Sequence, residues 1–161
     1  MRIHALLGAA AWFALAGAVL AQNLVLTGPD GRTRTVTVAE IAAMPHQSVL
    51  LPREGGGPPR RYEGVALTDL LQSVGAPSGK ALRGPAMGDV VVAQGADGYR
   101  AALALAETDA GMRKDAILVA DKAEGAPLPA NEGPLRLVVE GDLRPARSVR
   151  NVAAIHVESA P

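Results

Sequence analysis

Cysteine is missing from all 161 residues, and that absence sets the terms on which the chain can fold. No disulfide can form, and no thiolate is available to a metal, a nucleophilic step or a redox pair. Stability must come from packed apolar side chains, and these are almost all aliphatic: hydrophobic residues make up 48% of the chain but aromatic ones only 2%. Trp12 and Phe13 lie in the first 21 residues, leaving Tyr62 and Tyr99 as the aromatic residues of everything after them. Stacking on bases or sugar rings is nearly closed to such a chain.

The opening reads Met1-Arg2-Ile3-His4, then an uncharged apolar run over residues 5–20, with small side chains at Val19 and Ala21 before Gln22. This is the three-part form of a secretory leader, with cleavage expected after Ala21. An uncleaved anchor is the other reading, but the run falls short of the roughly 20 residues a spanning helix needs. The expectation is a leader at 1–21 and one domain at 22–161, periplasmic or secreted and free of the membrane once cleaved. Losing Arg2 alone leaves 15 basic against 16 acidic groups, a net charge of −1. That balance excludes a general nucleic-acid binder, which needs an excess of cations on one face. A domain of this length can bury about two-thirds of its unfolded surface, enough for its own core.

Along residues 22–161, apolar and β-branched runs at 23–27 and 33–38 flank the turn Gly28-Pro29-Asp30-Gly31 and read as a hairpin. Thr37-Val38-Ala39-Glu40 fits a capping box opening a short helix that Pro45 stops. Residues 48–51 read as a buried strand, 52–59 as a Gly/Pro-rich loop, and Arg60-Arg61-Tyr62 as the entry to the next strand. Leu67, Leu70, Leu71 and Val74 fall at helical spacing, with Gly75 and Pro77 as the stop. Further strands are expected at 90–92, 99–103, 117–120, 135–139 and 149–157, and a short helix at 105–112. Strands outnumber helices without alternating with them, which points to an α+β fold of mixed, mostly antiparallel sheets.

Few motifs carry chemistry. Residues 75–81 look like a phosphate-binding loop but have three residues between the glycines and Ala81 where a hydroxyl is required. His46 and His156 are the histidines that follow the leader; one comes after a helix stop and one on a terminal strand, and both read as structural or solvated. No metal site is expected. The arginines are more suggestive. Arg53, Arg60 and Arg61 lie mid-chain and Arg144, Arg147 and Arg150 near the end. If the last strand pairs near the middle hairpin, several planar forks converge on one anion; otherwise they form a solvated rim, the commoner fate of surface arginines.

One ordered series goes further: Tyr62-Glu63-Gly64-Val65 with Leu67, Leu70 and Leu71; Asp97-Gly98-Tyr99 with Leu105; Ile117-Leu118-Val119-Ala120; Gly125 and Leu128-Pro129; then residues 132–141; and finally Arg147-Ser148-Val149-Arg150. In this the chain resembles the oxidoreductase molybdopterin-binding domain of the sulfite oxidase family. The resemblance implies a mixed α+β fold with a cleft for a phosphorylated pterin dithiolene carrying molybdenum. It also implies that Arg147 and Arg150, with Ser148 between them, reach the pterin phosphate. Asn151 stands where the family often has an aromatic residue.

The family's metal ligand has no counterpart. A cysteine thiolate is implied on the strand before Tyr62, and this chain has Leu50-Leu51-Pro52-Arg53 there, which donate nothing to a soft metal. Arg2 also lacks the twin of a twin-arginine signal, so the leader suits threading unfolded, without a preloaded cofactor. The expectation is therefore a non-catalytic binding or accessory module without metal or retained cofactor, molybdopterin being implied by resemblance only. Its partner would be a small anionic ligand or a periplasmic protein. The alternatives are a molybdopterin-dependent oxidoreductase with a non-cysteine ligand, and a small-anion receptor built on Arg147 and Arg150. The surroundings of Leu51 and Pro52, an apolar plug or an open cleft, separate these readings.

Overall fold

Alternation of buried and exposed side chains sets the first strands. In β1 (Leu24–Thr27) Leu24 and Leu26 are buried while Val25 points outward, 40% exposed, and β2 (Thr33–Val36) returns antiparallel with Leu24 opposite Val36. The computed structural model describes residues 22–53 and 55–159, so the expected leader lies outside the described residues. None of the described helices is long and apolar enough to cross a membrane.

The capping box forms as the sequence suggests: the Thr37 hydroxyl accepts from the Glu40 amide and the Glu40 carboxylate accepts from the Thr37 amide, opening α1 (Val38–Ala43). β3 (Gln47–Leu51) and β4 (Arg60–Ala66) then pair antiparallel. α2 (Leu67–Gln72) buries Leu67, Leu70 and Leu71, with Val74 buried just beyond its end and Gly75 in the left-handed region at φ 87°. The remaining strands are β5 (Val90–Gly95), β6 (Arg100–Ala104), β7 (Ile117–Ala123), β8 (Ala126–Pro127), β9 (Arg136–Val139) and β10 (Val152–Glu158).

Among the described residues two five-stranded sheets result. The first runs β2-β1-β10-β5-β6, with β1 and β10 parallel and the other neighbours antiparallel. The second runs β3-β4-β7-β8 with β9 also paired to β7, all antiparallel. This is the mixed, mostly antiparallel α+β architecture expected. The main core draws on both sheets and α2, and a second apolar cluster lies on the opposite face of the second sheet. β7 explains why the sequence there is an unbroken apolar run: Ile117 and Val119 enter the first cluster, Leu118 and Ala120 the second.

Two expectations change. The helix expected at 105–112 is a 3-10 turn over Leu105–Thr108, because the Asp109 carboxylate takes the backbone amides of Gly111 and Gly79, holding the chain in a turn. The strand expected from 149 starts at Val152, since Asn151 adopts φ 46° and its amide turns to the Glu132 carbonyl.

One glycine limits how closely the second sheet packs. At Gly64, opposite Ala120 where the β4–β7 register shifts, a Cβ would fall 2.2 Å from the Val119 carbonyl oxygen and 2.4 Å from the Ala120 Cα. Gly64→Ala should lower the urea midpoint with an unchanged slope, costing about 1–3 kcal/mol as overpacking does.

Candidate functional site

Strand register assembles the site at one end of the second sheet. Leu51 lies opposite Arg60, Val49 opposite Tyr62, Tyr62 opposite Ala123, and Ala120 opposite Arg136. Arg60 and Tyr62 are two apart on β4 and so share a face; Arg136 opens β9 next to them, and the segment between β8 and β9 brings Glu132 over the group.

Burying cations requires partners, and here one carboxylate serves two guanidinium groups. Arg60 Nη1 donates to Glu132 Oε1, Arg136 Nη1 donates to Glu132 Oε2 at 2.7 Å and to Tyr62 Oη at 2.8 Å, and the Tyr62 hydroxyl donates to Glu132 Oε2 at 3.0 Å. Both guanidinium carbons stand over the Tyr62 ring, 5.1 and 5.0 Å from its centre, within cation–π range. Burial pushes the Glu132 carboxyl upward, but hydrogen bonds from Arg136 and Arg60, the Arg136 charge and the Tyr62 hydroxyl outweigh it and hold the group below its ordinary range. Burial, aided by the Glu132 charge, pushes the Tyr62 phenol up despite Arg136, so it stays neutral. The Arg136 side chain is 6% exposed, and its Nε is buried with no hydrogen-bond partner.

Two adjoining cavities open beside this cluster, of about 190 and 330 Å³, and share Arg136, Pro145 and Arg150 as a common wall. The smaller is completed by Leu51, Pro52, Arg53, Arg60, Tyr62 and Glu132; the larger by Asp97, Tyr99, Ala146 and Ser148. Among the described residues the smaller cavity thus sets four guanidinium groups against one carboxylate. The surroundings of Leu51 and Pro52 are an open, cationic cleft.

The expected phosphate-binding trio divides. Arg150 and Ser148 line the cleft, although the Ser148 hydroxyl also accepts from the Val139 amide at 3.0 Å. Arg147 does not line it. Its Nε and Nη2 grip Asp142 at 3.0 and 2.6 Å, and its Nη1 reaches Glu107 at 3.2 Å. Hydrogen bonding to Asp142 raises its already high pKa, against burial, so the clamp stays charged. Arg53, Arg60 and Arg150 converge, whereas Arg61 and Arg144 line neither cavity. The convergence does not arise by pairing of the last strand with the middle hairpin, because β10 sits in the other sheet; the loop before β10 delivers Arg150 instead. Arg136 and Glu132 were not among the sequence candidates. Their signal was a charged residue inside the otherwise apolar run 135–139, paired with a carboxylate four residues earlier.

Neither His46, held by Asp121 and the Met44 carbonyl, nor His156, beside Glu158, lines the cleft. Among the described residues no three His, Cys, Asp or Glu side chains are grouped to hold a metal ion. Leu51, 4% exposed, and Pro52 occupy the place where the sequence resemblance implies a thiolate. Glu132, the carboxylate at hand, has both oxygens bound to Arg60, Arg136 and Tyr62. These residues do not fit a molybdenum centre; they do fit an oxyanion.

The depressed Glu132 pKa has a definite sign for stability. A carboxylate held low contributes fully above its ordinary value of 4.5 and progressively less as pH falls through its folded value. Glu40 and Asp109, lowered by backbone hydrogen bonds, act in the same direction, so the comparison that isolates Glu132 is wild type against Glu132→Gln. The variant should be less stable by about 3 kcal/mol near neutral pH, because one buried cation, Arg136, and one half-buried cation, Arg60, lose their partner. The gap between the two melting temperatures should narrow as pH is lowered from 5 towards 3.

Comparisons with known proteins agree with this fold. The family described as the oxidoreductase molybdopterin binding domain matches residues 20–161. No curated protein sequence matches the chain. Among solved structures, the sulfane dehydrogenase SoxCD from Paracoccus pantotrophus superposes with a TM-score of 0.66 at 18% identity, over 86% of this chain and 38% of that one. At that identity the likeness concerns the fold, and this chain spans well under half the length of the SoxCD chain. With the family matched over nearly all of the sequence, on a scaffold it shares with SoxCD, the chain belongs to the oxidoreductase molybdopterin binding domain family.

Proposed function

We propose that this protein is an exported, non-catalytic member of its family, a binding module whose cationic cleft takes a small oxyanion. The observation that carries the reading is the composition of the smaller cavity among the described residues: four guanidinium groups, one carboxylate engaged through both oxygens, and Leu51 and Pro52 in place of a metal-binding thiolate. Planar guanidinium forks match carboxylate, sulfonate and phosphate oxygens, while a redox metal needs a donor these side chains lack. Export rests on the leader-like residues 1–21 and places the module in the periplasm or outside the cell, where a small anion or a protein carrying one would be its partner.

The test is elemental and calorimetric. Protein produced in cells supplied with molybdate should contain only traces of molybdenum, and its acid extract should lack pterin fluorescence. Phosphate or sulfite at about a hundredfold above its dissociation constant should stabilise the protein by about 2.7 kcal/mol, read as a rise of several degrees in melting temperature. Arg60→Gln should reduce that rise. Stoichiometric molybdenum and substrate oxidation would overturn the reading, as would a wild-type melting temperature indifferent to every oxyanion tried.

A further inference from the structure

The two adjoining cavities differ in charge. Among the described residues the smaller sets four guanidinium groups against Glu132, whereas the larger sets only the two of the shared wall, Arg136 and Arg150, against a carboxylate, Asp97, beside an aromatic side chain, Tyr99. We infer that the cleft takes a zwitterion, with an oxyanion seated on Arg136 and an ammonium group between Asp97 and the Tyr99 ring. The inference rests on the anion-binding reading above and names the class of ligand for that same site.

The anionic end follows from how Arg136 is used. Its Nη1 is spent on Tyr62 and Glu132, and its Nε has no partner although it is buried. A guanidinium binds oxyanions best through two parallel N–H groups, and the edge carrying Nε has that donor unmatched. Since a buried donor without an acceptor costs free energy, an oxygen arriving at that edge recovers it. Arg136 is held in position by Glu132 and Tyr62, so the anion finds a fixed receptor.

The cationic end follows from Asp97 and Tyr99. The Asp97 carboxylate accepts the Tyr99 amide through Oδ1 at 2.9 Å, an Asx turn that fixes the side chain at the β5–β6 hairpin. The Tyr99 hydroxyl donates to the Ala146 carbonyl at 2.6 Å, which pins the ring against the wall of the larger cavity. A carboxylate beside an immobilised aromatic ring favours a cation, the first by charge and the second by its π face. Arg136 and Arg150 on the shared wall draw an anionic group, while beside Asp97 and Tyr99 a second anionic group would meet the carboxylate unfavourably and an ammonium group would meet both side chains favourably. Because Arg136 borders both cavities, one short ligand can span them.

Two probes of matched shape test this: 3-aminopropanesulfonate, which is zwitterionic, and butane-1-sulfonate, in which a methyl group replaces the ammonium. Titration calorimetry on the wild-type protein should show the amino compound binding at least threefold more tightly. Asp97→Asn, which keeps the Asx turn but removes the charge, should erase that preference, and Tyr99→Leu should reduce it. Equal affinity for the two probes, or binding of phosphate or sulfite without either sulfonate, would overturn the zwitterion and leave the anion-binding reading intact. If no oxyanion of any kind binds, both fall together.

Discussion

A single carboxylate pairs two guanidinium groups at one end of the second sheet, Arg136 buried and Arg60 half-buried. Glu132 bonds Arg60 with one oxygen and Arg136 with the other, and Tyr62 fills the angle between them. Such a cluster gains little over an apolar plug of the same volume, because desolvating three charges offsets most of their attraction. What it supplies is position: two planar cations fixed against one ring, at the floor of a cleft, with one Nε left over. Without Glu132, two like charges would share one phenol with no carboxylate between them.

That arrangement needs a sheet packed on both faces. β7 gives Ile117 and Val119 to one cluster and Leu118 and Ala120 to the other, and β9 divides Leu137 and Val139 from Val138 in the same way. On the second face Val49, Leu51 and Leu128 flank Tyr62, and Leu128 is fixed by its amide bonding to the Asp121 carbonyl. Aliphatic packing thus surrounds the ionic cluster on the sheet side and lowers the local dielectric, strengthening each charge-assisted bond within it. The scarcity of aromatic residues is consistent with this design: the buried ring, Tyr62, is the one on which both cations rest.

Much of the fold was legible in the chain because periodicity reports burial directly. The hairpin at 24–36, the capping box at Thr37 and Glu40, and the stripe Leu67, Leu70, Leu71, Val74 all fall where their spacing placed them. The segment 105–112 misled because its apolar spacing is real, with Leu105 buried, while the decisive contact is the Asp109 carboxylate capturing two amides, one of them thirty residues away. The site was legible only in part. Arg53, Arg60 and Arg150 could be named, but their meeting depends on the β3–β4 register and on a loop crossing from one sheet to the other, and neither is written in local spacing. Glu132 and Arg136 escaped notice as site residues because a charge within an apolar strand reads as an edge feature until its partner is seen.

The closing motif shows how one stretch divides its work. Arg147, held by Asp142 across its own loop and by Glu107 from the turn after β6, fixes the path between β9 and β10. From there each residue is tied in turn: the Ser148 hydroxyl accepts from the Val139 amide, the Val149 carbonyl accepts from the Leu137 amide, and the Asn151 amide donates to the Glu132 carbonyl. Asn151 completes the bend with φ 46°, a left-handed conformation that asparagine tolerates better than most residues. The bend sets Arg150 on the wall common to both cavities. Two arginines three residues apart therefore hold different posts: one is a brace that keeps its charge because carboxylates surround it, and the other is part of the surface a ligand meets.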